Sequence, residues 1–146
     1  MPEPLTTGHF KRRAATAALV LYWLTLLTAT HWPYKVPPAQ QPMLSSDKLL
    51  HFSAYAGLGF LLTFVAWTRN RPGKPLPILA LLLVAVTAGF VDEITQPLTA
   101  RDFEWMDWVA DILGALSGVG LGIAATRYLT RSSRANYDDS GAELSP

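Results

Sequence analysis

The chain has 146 residues, half of them hydrophobic and only 16% charged, with a formal net charge of +1. A soluble domain carries about 25% charged residues, so little sequence remains to face water, and the small net charge excludes a bulk electrostatic attraction for nucleic acid. There is no cysteine, which excludes disulfides and thiol chemistry.

Residues 1–13 end in "FKRR" and read as a short cytoplasmic N-terminus. The seventeen uncharged residues between Arg13 and His31, "AATAALVLYWLTLLTAT", predict a first membrane span over 14–31. Basic residues before an apolar stretch also describe a signal peptide, with small residues near Thr28 and Thr30 as its cleavage site. Seventeen residues exceed a signal core of about 7–15, so the segment is read as a retained span. The proline-rich "HWPYKVPPAQQPM" predicts an extended connection. Twenty residues between Lys48 and Arg69, broken only by His51, predict a second span over 48–68. "PLPILALLLVAVTAGFV" opens a third over 75–95. The fourth, 106–126, joins "WMDWVAD" to an apolar run from Ile112 to Thr126. Each approaches the ~20 residues that cross a bilayer. The polar segment 127–146 predicts a disordered cytoplasmic tail. The expected fold is an all-α, integral membrane four-helix bundle, up-down-up-down, with both termini cytoplasmic.

Alternating spans place Lys11, Arg12, Arg13, Arg69, Arg71, Lys74, Arg127, Arg131 and Arg134 on one side, nine of the twelve basic residues. The positive-inside rule makes that side cytoplasmic. The other side keeps Lys35, Lys48 and Arg101 and gathers seven of the eleven acids: Asp47, Asp92, Glu93, Asp102, Glu104, Asp107 and Asp111. The outer face then sums to 3 − 7 = −4 and the inner to 9 − 4 = +5. Trp32, Tyr34, Phe103, Trp105 and Trp108 fall at the outer headgroup level and read as interfacial anchors.

The same alternation brings the ends of three helices to one depth, and with them Asp47, His51, Asp92, Glu93, Gln96, Arg101, Asp107 and Asp111. Singly, each has a structural explanation: Asp47 as a helix cap, Asp107 and Asp111 as acids in a first turn. Asp92 and Glu93 resist it, because they lie at a helix C-terminus where the dipole disfavours negative charge. Lys48 is misplaced in the opposite sense, and Lys48 and Arg101 are the nearest cationic partners. Asp47 and His51, Asp107 and Asp111, and Asp92 and Gln96 are each four apart, so each pair shares a helix face. The expectation is one polar pocket at the outer face, with Asp111 beneath the others. Gly114, Gly118 and Gly122 repeat every fourth residue on helix 4 and predict close packing on a neighbouring helix, turning the acids inward.

"DKLLHF", "DEITQ", Arg101 and "DWVADILGALSG" follow one another in an order and spacing that resembles the VanZ-like family of small bacterial membrane proteins, over about residues 47 to 122. Asp111 stands where that family commonly has Asn, which adds a negative charge. The resemblance implies a multi-pass protein of the bacterial inner membrane. The family's namesake is associated with low-level resistance to the glycopeptide antibiotic teicoplanin, and no established reaction comes with the family.

Two uses of the cluster are expected to compete. One is binding of a cell-envelope component, a lipid-linked or cell-wall ligand, or a glycopeptide antibiotic. The other is metal-assisted hydrolysis or phosphoryl transfer on a lipid-linked substrate. In that case His51, Asp92 and Glu93 are the catalytic candidates, and Asp47, His51 and Glu93 are candidate ligands of a divalent metal. Arg101 would then bind phosphate. A purely structural membrane protein with an ion-paired cap is the third reading. An ion pathway is disfavoured, because it needs polar residues at mid-membrane and the interiors of the spans offer little beyond Thr25, Ser53, Thr63, Thr87 and Ser117. Lipid bilayer is the expected surrounding, and no nucleic acid is expected.

Overall fold

The computed structural model describes residues 7–32, 46–70, 74–99, 101 and 103–142, with side chains to residue 132. The proline-rich connection, Tyr34, Lys35, Arg71 and Asp102 lie outside the described residues. All regular structure among the described residues is helical: α1 (Thr7–Thr30), α2 (Ser46–Arg69), α3 (Ile78–Thr95) and α4 (Trp105–Ala142), with a 3₁₀ turn at Gln96–Thr99. Four stretches are long and apolar enough to cross a membrane: Gly8–Thr30, Asp47–Arg69, Ile78–Thr99 and Trp105–Ser132. At 1.5 Å per residue, the shortest of these reaches about 33 Å, against a hydrocarbon core of about 30 Å.

Side-chain placement is the reverse of that in a water-soluble bundle. Leu21, Leu24, Leu79, Leu83 and Leu121 are all more than half exposed, while Asp92, Glu93, Gln96, Asp107 and Asp111 are among the largest fully buried side chains. Exposed hydroxyls do not go begging for water either. Thr25 Oγ1 donates to Leu21 O at 2.9 Å, Thr28 Oγ1 to Leu24 O at 2.8 Å, and Ser117 Oγ to Leu113 O at 2.8 Å. A polar group in hydrocarbon has only its own helix to bond, and the carbonyl one turn back serves it. Both features fit a multi-pass protein in lipid.

Two starts and ends differ from the sequence reading. Proline has no N–H, so α3 begins after Pro75 and Pro77, at Ile78 rather than 75. Asn70 Nδ2 ties off the preceding connection by donating to Lys74 O and Pro75 O at 3.0 and 3.1 Å. At the other end of the chain, α4 continues past 126 to Ala142, into the segment whose polar composition had suggested a disordered tail.

The closest packing joins α2 to α4. A Cβ added at Gly114 would overlap the Phe52 carbonyl, one at Gly118 the Ala56 carbonyl, and one at Gly122 the Thr63 side chain. Gly59 on α2 does the same against the Ala115 carbonyl, so the backbones meet with no side-chain layer between them. The glycine face of α4 is thus used within the chain.

α1 is held on α2 by Tyr22, whose hydroxyl donates to Ala54 O at 2.7 Å and whose ring tip occupies the space a side chain at Gly57 would need. Leu26, Tyr55 and Leu58 form the buried apolar core, with Leu19, Tyr22, Leu62 and Ala88 against it. At the far end of the pair, Arg12 Nε donates to Thr68 O at 2.9 Å and Arg69 to Thr16 Oγ1 at 2.9 Å. Tyr22→Phe is expected to keep the packing and lose one half-buried hydrogen bond. The expected cost is about 1 kcal/mol, read as a lowered Tm in detergent.

Candidate functional site

The eight expected residues do meet at one end of the bundle, where α1 and α3 end and α2 and α4 begin. The described residues form a layered, closely packed cluster. Its outer layer holds three ion pairs around two cations. Lys48 Nζ bonds Glu104 Oε2 at 2.9 Å and Asp107 Oδ1 at 3.0 Å. Arg101 NH2 meets Asp47 Oδ2 at 3.2 Å, while its NH1 donates to Thr30 O, the last residue of α1, at 2.9 Å. The Asp47 and Glu104 carboxylates keep 34% of their side-chain surface exposed, so solvent reaches this layer.

Beneath it, His51, Asp92, Glu93, Gln96, Asp107 and Asp111 are each 3% exposed or less. The i,i+4 spacing on α2 puts His51 one turn below Asp47, and that on α4 puts Asp111 one turn below Asp107. The imidazole is the centre of the inner layer. Its Nδ1 lies 3.0 Å from Asp111 Oδ1 and 3.7 Å from Glu93 Oε1, and its Nε2 lies 4.0 Å from Asp107 Oδ2. Gly89 on α3 leaves room for Asp111: a Cβ there would stand 3.0 Å from Asp111 Oδ2 and 3.3 Å from the Tyr55 ring.

Asp92 and Glu93 resolve their conflict with the α3 dipole in a way spacing did not foretell. Neither pairs with Lys48 or Arg101. Asp92 Oδ1 accepts from Thr30 Oγ1 at 2.7 Å and lies 3.4 Å from His31 Nδ1. Glu93 Oε1 accepts from Gln96 Nε2 at 2.9 Å, and its Oε2 accepts from the backbone N–H of Glu104 at 3.2 Å. Glu104 immediately precedes α4, so an acid disfavoured at the end of α3 sits at the positive end of α4. Gln96 reaches Glu93 rather than Asp92, because the helix tightens into the 3₁₀ turn at Pro97.

Several residues belong to the cluster that the sequence reading left out. Thr30 and His31 bring in the end of α1, and His31 Nε2 also meets Thr95 Oγ1 at 2.9 Å. Glu104 comes from the connection, and Tyr55, one turn below His51, closes the floor. The depth argument applied to three helix ends holds for α1 as well, and would have found Thr30 and His31. Among the aromatic residues, Trp32, Phe103 and Trp105 are exposed as anchors would be. Trp108 instead packs edge-on against Phe90 with ring centroids 5.5 Å apart, and donates to Val86 O at 3.3 Å, joining α4 to α3.

Four buried atoms have no hydrogen-bond partner among the described residues: Tyr55 OH, Asp92 Oδ2, Gln96 Oε1 and Asp111 Oδ2. Three of the four are pure acceptors. Among the described residues of the cluster, the six carboxyl groups of Asp47, Asp92, Glu93, Glu104, Asp107 and Asp111 face two fixed cations, Lys48 and Arg101. His31 and His51 can offset part of the difference. Comparison with family models, with curated proteins and with solved structures returns no match.

Proposed function

We propose that the chain is a bacterial inner-membrane protein whose buried polar cluster lies at the extracytoplasmic face and binds a component of the cell envelope. The supporting observation is the burial of Asp92, Glu93, Asp107 and Asp111 around His51 at one end of a bundle whose outer surface is apolar. Removing such groups from water costs several kcal/mol each, and a bundle that needed only to pack would be served better by leucine. Ionisable side chains at membrane depth mark binding or reaction sites by default.

The orientation is supported by the basic residues, nine of which alternating spans assign to the side away from the cluster. The ordered motifs that resemble the VanZ-like family support an envelope role and put a glycopeptide antibiotic among the candidate ligands. The charge balance narrows the ligand. With Arg101 engaged by Asp47 and by Thr30 O, a bare phosphate finds no free guanidinium, and the excess of acceptors suits a ligand rich in ammonium, amide or hydroxyl donors.

Two measurements test this. Reporter fusions after residues 40, 72, 100 and 140 should report outside, inside, outside and inside; an external signal at 72 overturns the orientation. The wild type is expected to protect against teicoplanin and to carry a lipid-linked precursor detectable by mass spectrometry, and His51→Ala and Asp92→Asn should insert at the wild-type level yet lose both. Variants that retain both leave only an ion-paired structural cap.

A further inference from the structure

The inner layer contains more acceptors than its own donors can serve, and they converge on one nitrogen. Around His51 Nδ1 stand Asp111 Oδ1 at 3.0 Å and Glu93 Oε1 at 3.7 Å. Ligand atoms of His51, Asp92 and Glu93, all buried, lie within 4.8 Å of one another. A single N–H can satisfy one of these oxygens. Asp92 Oδ2, on a side chain that is fully buried, and Asp111 Oδ2 have no partner at all among the described residues. A buried acceptor without a donor costs about 1–3 kcal/mol, and more when it is charged, so two of them beside an imidazole call for a cation.

We infer that His51, Asp92 and Glu93 bind one divalent first-row metal cation, Zn2+ or Mn2+, with Asp111 beside it. One imidazole with two or three carboxylates is the donor set such ions take. Ligand atoms around an ion with bonds of about 2.1 Å stand about 3–4.2 Å apart, which brackets the 3.7 Å between His51 and Glu93. The ion takes the place of the proton on Nδ1. Nε2–H then faces Asp107 Oδ2, 4.0 Å away, in the arrangement by which a carboxylate orients a metal-bound histidine. Asp107 is itself held by Lys48, so the ion pair above the site fixes the ring below it. A second trio, Asp47, His51 and Asp107, also brings ligand atoms within 4.8 Å, but Asp47 is engaged by Arg101 and Asp107 by Lys48. The orphaned Asp92 Oδ2 selects the inner trio.

This inference deepens the binding site proposed above, but its test depends on neither orientation nor phenotype. Full-length protein purified in detergent is stripped with a chelator, dialysed, and titrated with ZnCl2 or MnCl2, with bound metal counted by mass spectrometry. One equivalent per chain and a raised Tm are expected, and Mn2+ should show the electron-spin-echo modulation of a coordinated imidazole nitrogen. Glu93→Gln and Asp92→Asn, which keep the shape of the side chain, should each weaken binding by about tenfold or more. Asp47→Asn should leave it unchanged. A folded wild type that binds neither ion overturns the assignment, as does binding that survives Glu93→Gln and Asp92→Asn or is lost with Asp47→Asn. In any of these cases the envelope-ligand reading still stands or falls on its own variants.

Discussion

Gly118→Leu is expected to destroy the folded state, with a loss of about 3 kcal/mol or more. At this position a Cβ meets the Ala56 backbone itself, carbonyl oxygen, carbonyl carbon and Cα together. Backbone cannot rotate out of the way as a side-chain tip can, so α4 has to leave α2. Once it does, Asp107 and Asp111 leave His51, and the apolar packing is lost along with the polar cluster. Gly120, two residues on, is the control: a Cβ there meets nothing within 4 Å. Gly120→Ala should be neutral or stabilise by up to about 1 kcal/mol through helix propensity. Thermal unfolding in detergent, with monodispersity on a sizing column, measures both. Equal effects of the two substitutions would show that the glycine face is not a packing face.

The second large effect belongs to Lys48. Its ammonium holds two carboxylates, and one of them, Asp107, is only 3% exposed. Lys48→Met keeps the stem and removes the charge, leaving Asp107 buried beside Glu93 and Asp111. Breaking a buried pair from one side costs about 3–5 kcal/mol, because the remaining charge has no compensation. The pair here opens to solvent at Glu104, which puts the expectation near the lower figure. Adding Asp107→Asn to Lys48→Met should restore more than half of the loss, and a double-mutant cycle on Tm and denaturant midpoint measures the coupling. The neighbouring pair makes the contrast. Asp47 keeps a third of its side chain exposed, so Asp47→Asn should cost about 1 kcal/mol or less.

Much of the architecture was legible because it follows from one-dimensional properties. The lengths of apolar sequence located four helices, and the glycines of α4 named a packing face. The alternation of helices brought Asp47, His51, Asp92, Glu93, Gln96, Arg101, Asp107 and Asp111 together. Partner choice was not legible. Lys48 and Arg101 were assigned to Asp92 and Glu93 on dipole grounds, yet Lys48 serves Glu104 and Asp107, and Arg101 serves Asp47. Spacing fixes which residues share a face of one helix. It does not fix how neighbouring helices are rotated about their axes, and that rotation decides who meets whom. The relief of Glu93 by the N–H of Glu104 is illegible for the same reason, since it depends on where α4 begins relative to α3. His51 and Tyr55 show the opposite case: four apart, on one face, they could be stacked by counting alone.

The glycine contact between α2 and α4 also divides the cluster by rate. Backbones in direct contact have no layer of side chains on which to slide, so His51, Asp107 and Asp111 sit on the tightly packed half. Asp92, Glu93 and Gln96 ride on α3, which touches α4 through replaceable side chains such as Phe90 and Trp108. Entry to the inner layer is therefore expected to need a displacement of α3, on the microsecond-to-millisecond scale of helix displacements. The 3₁₀ turn at Gln96–Thr99, where Pro97 has no N–H to continue the helical ladder, is where α3 is expected to yield first.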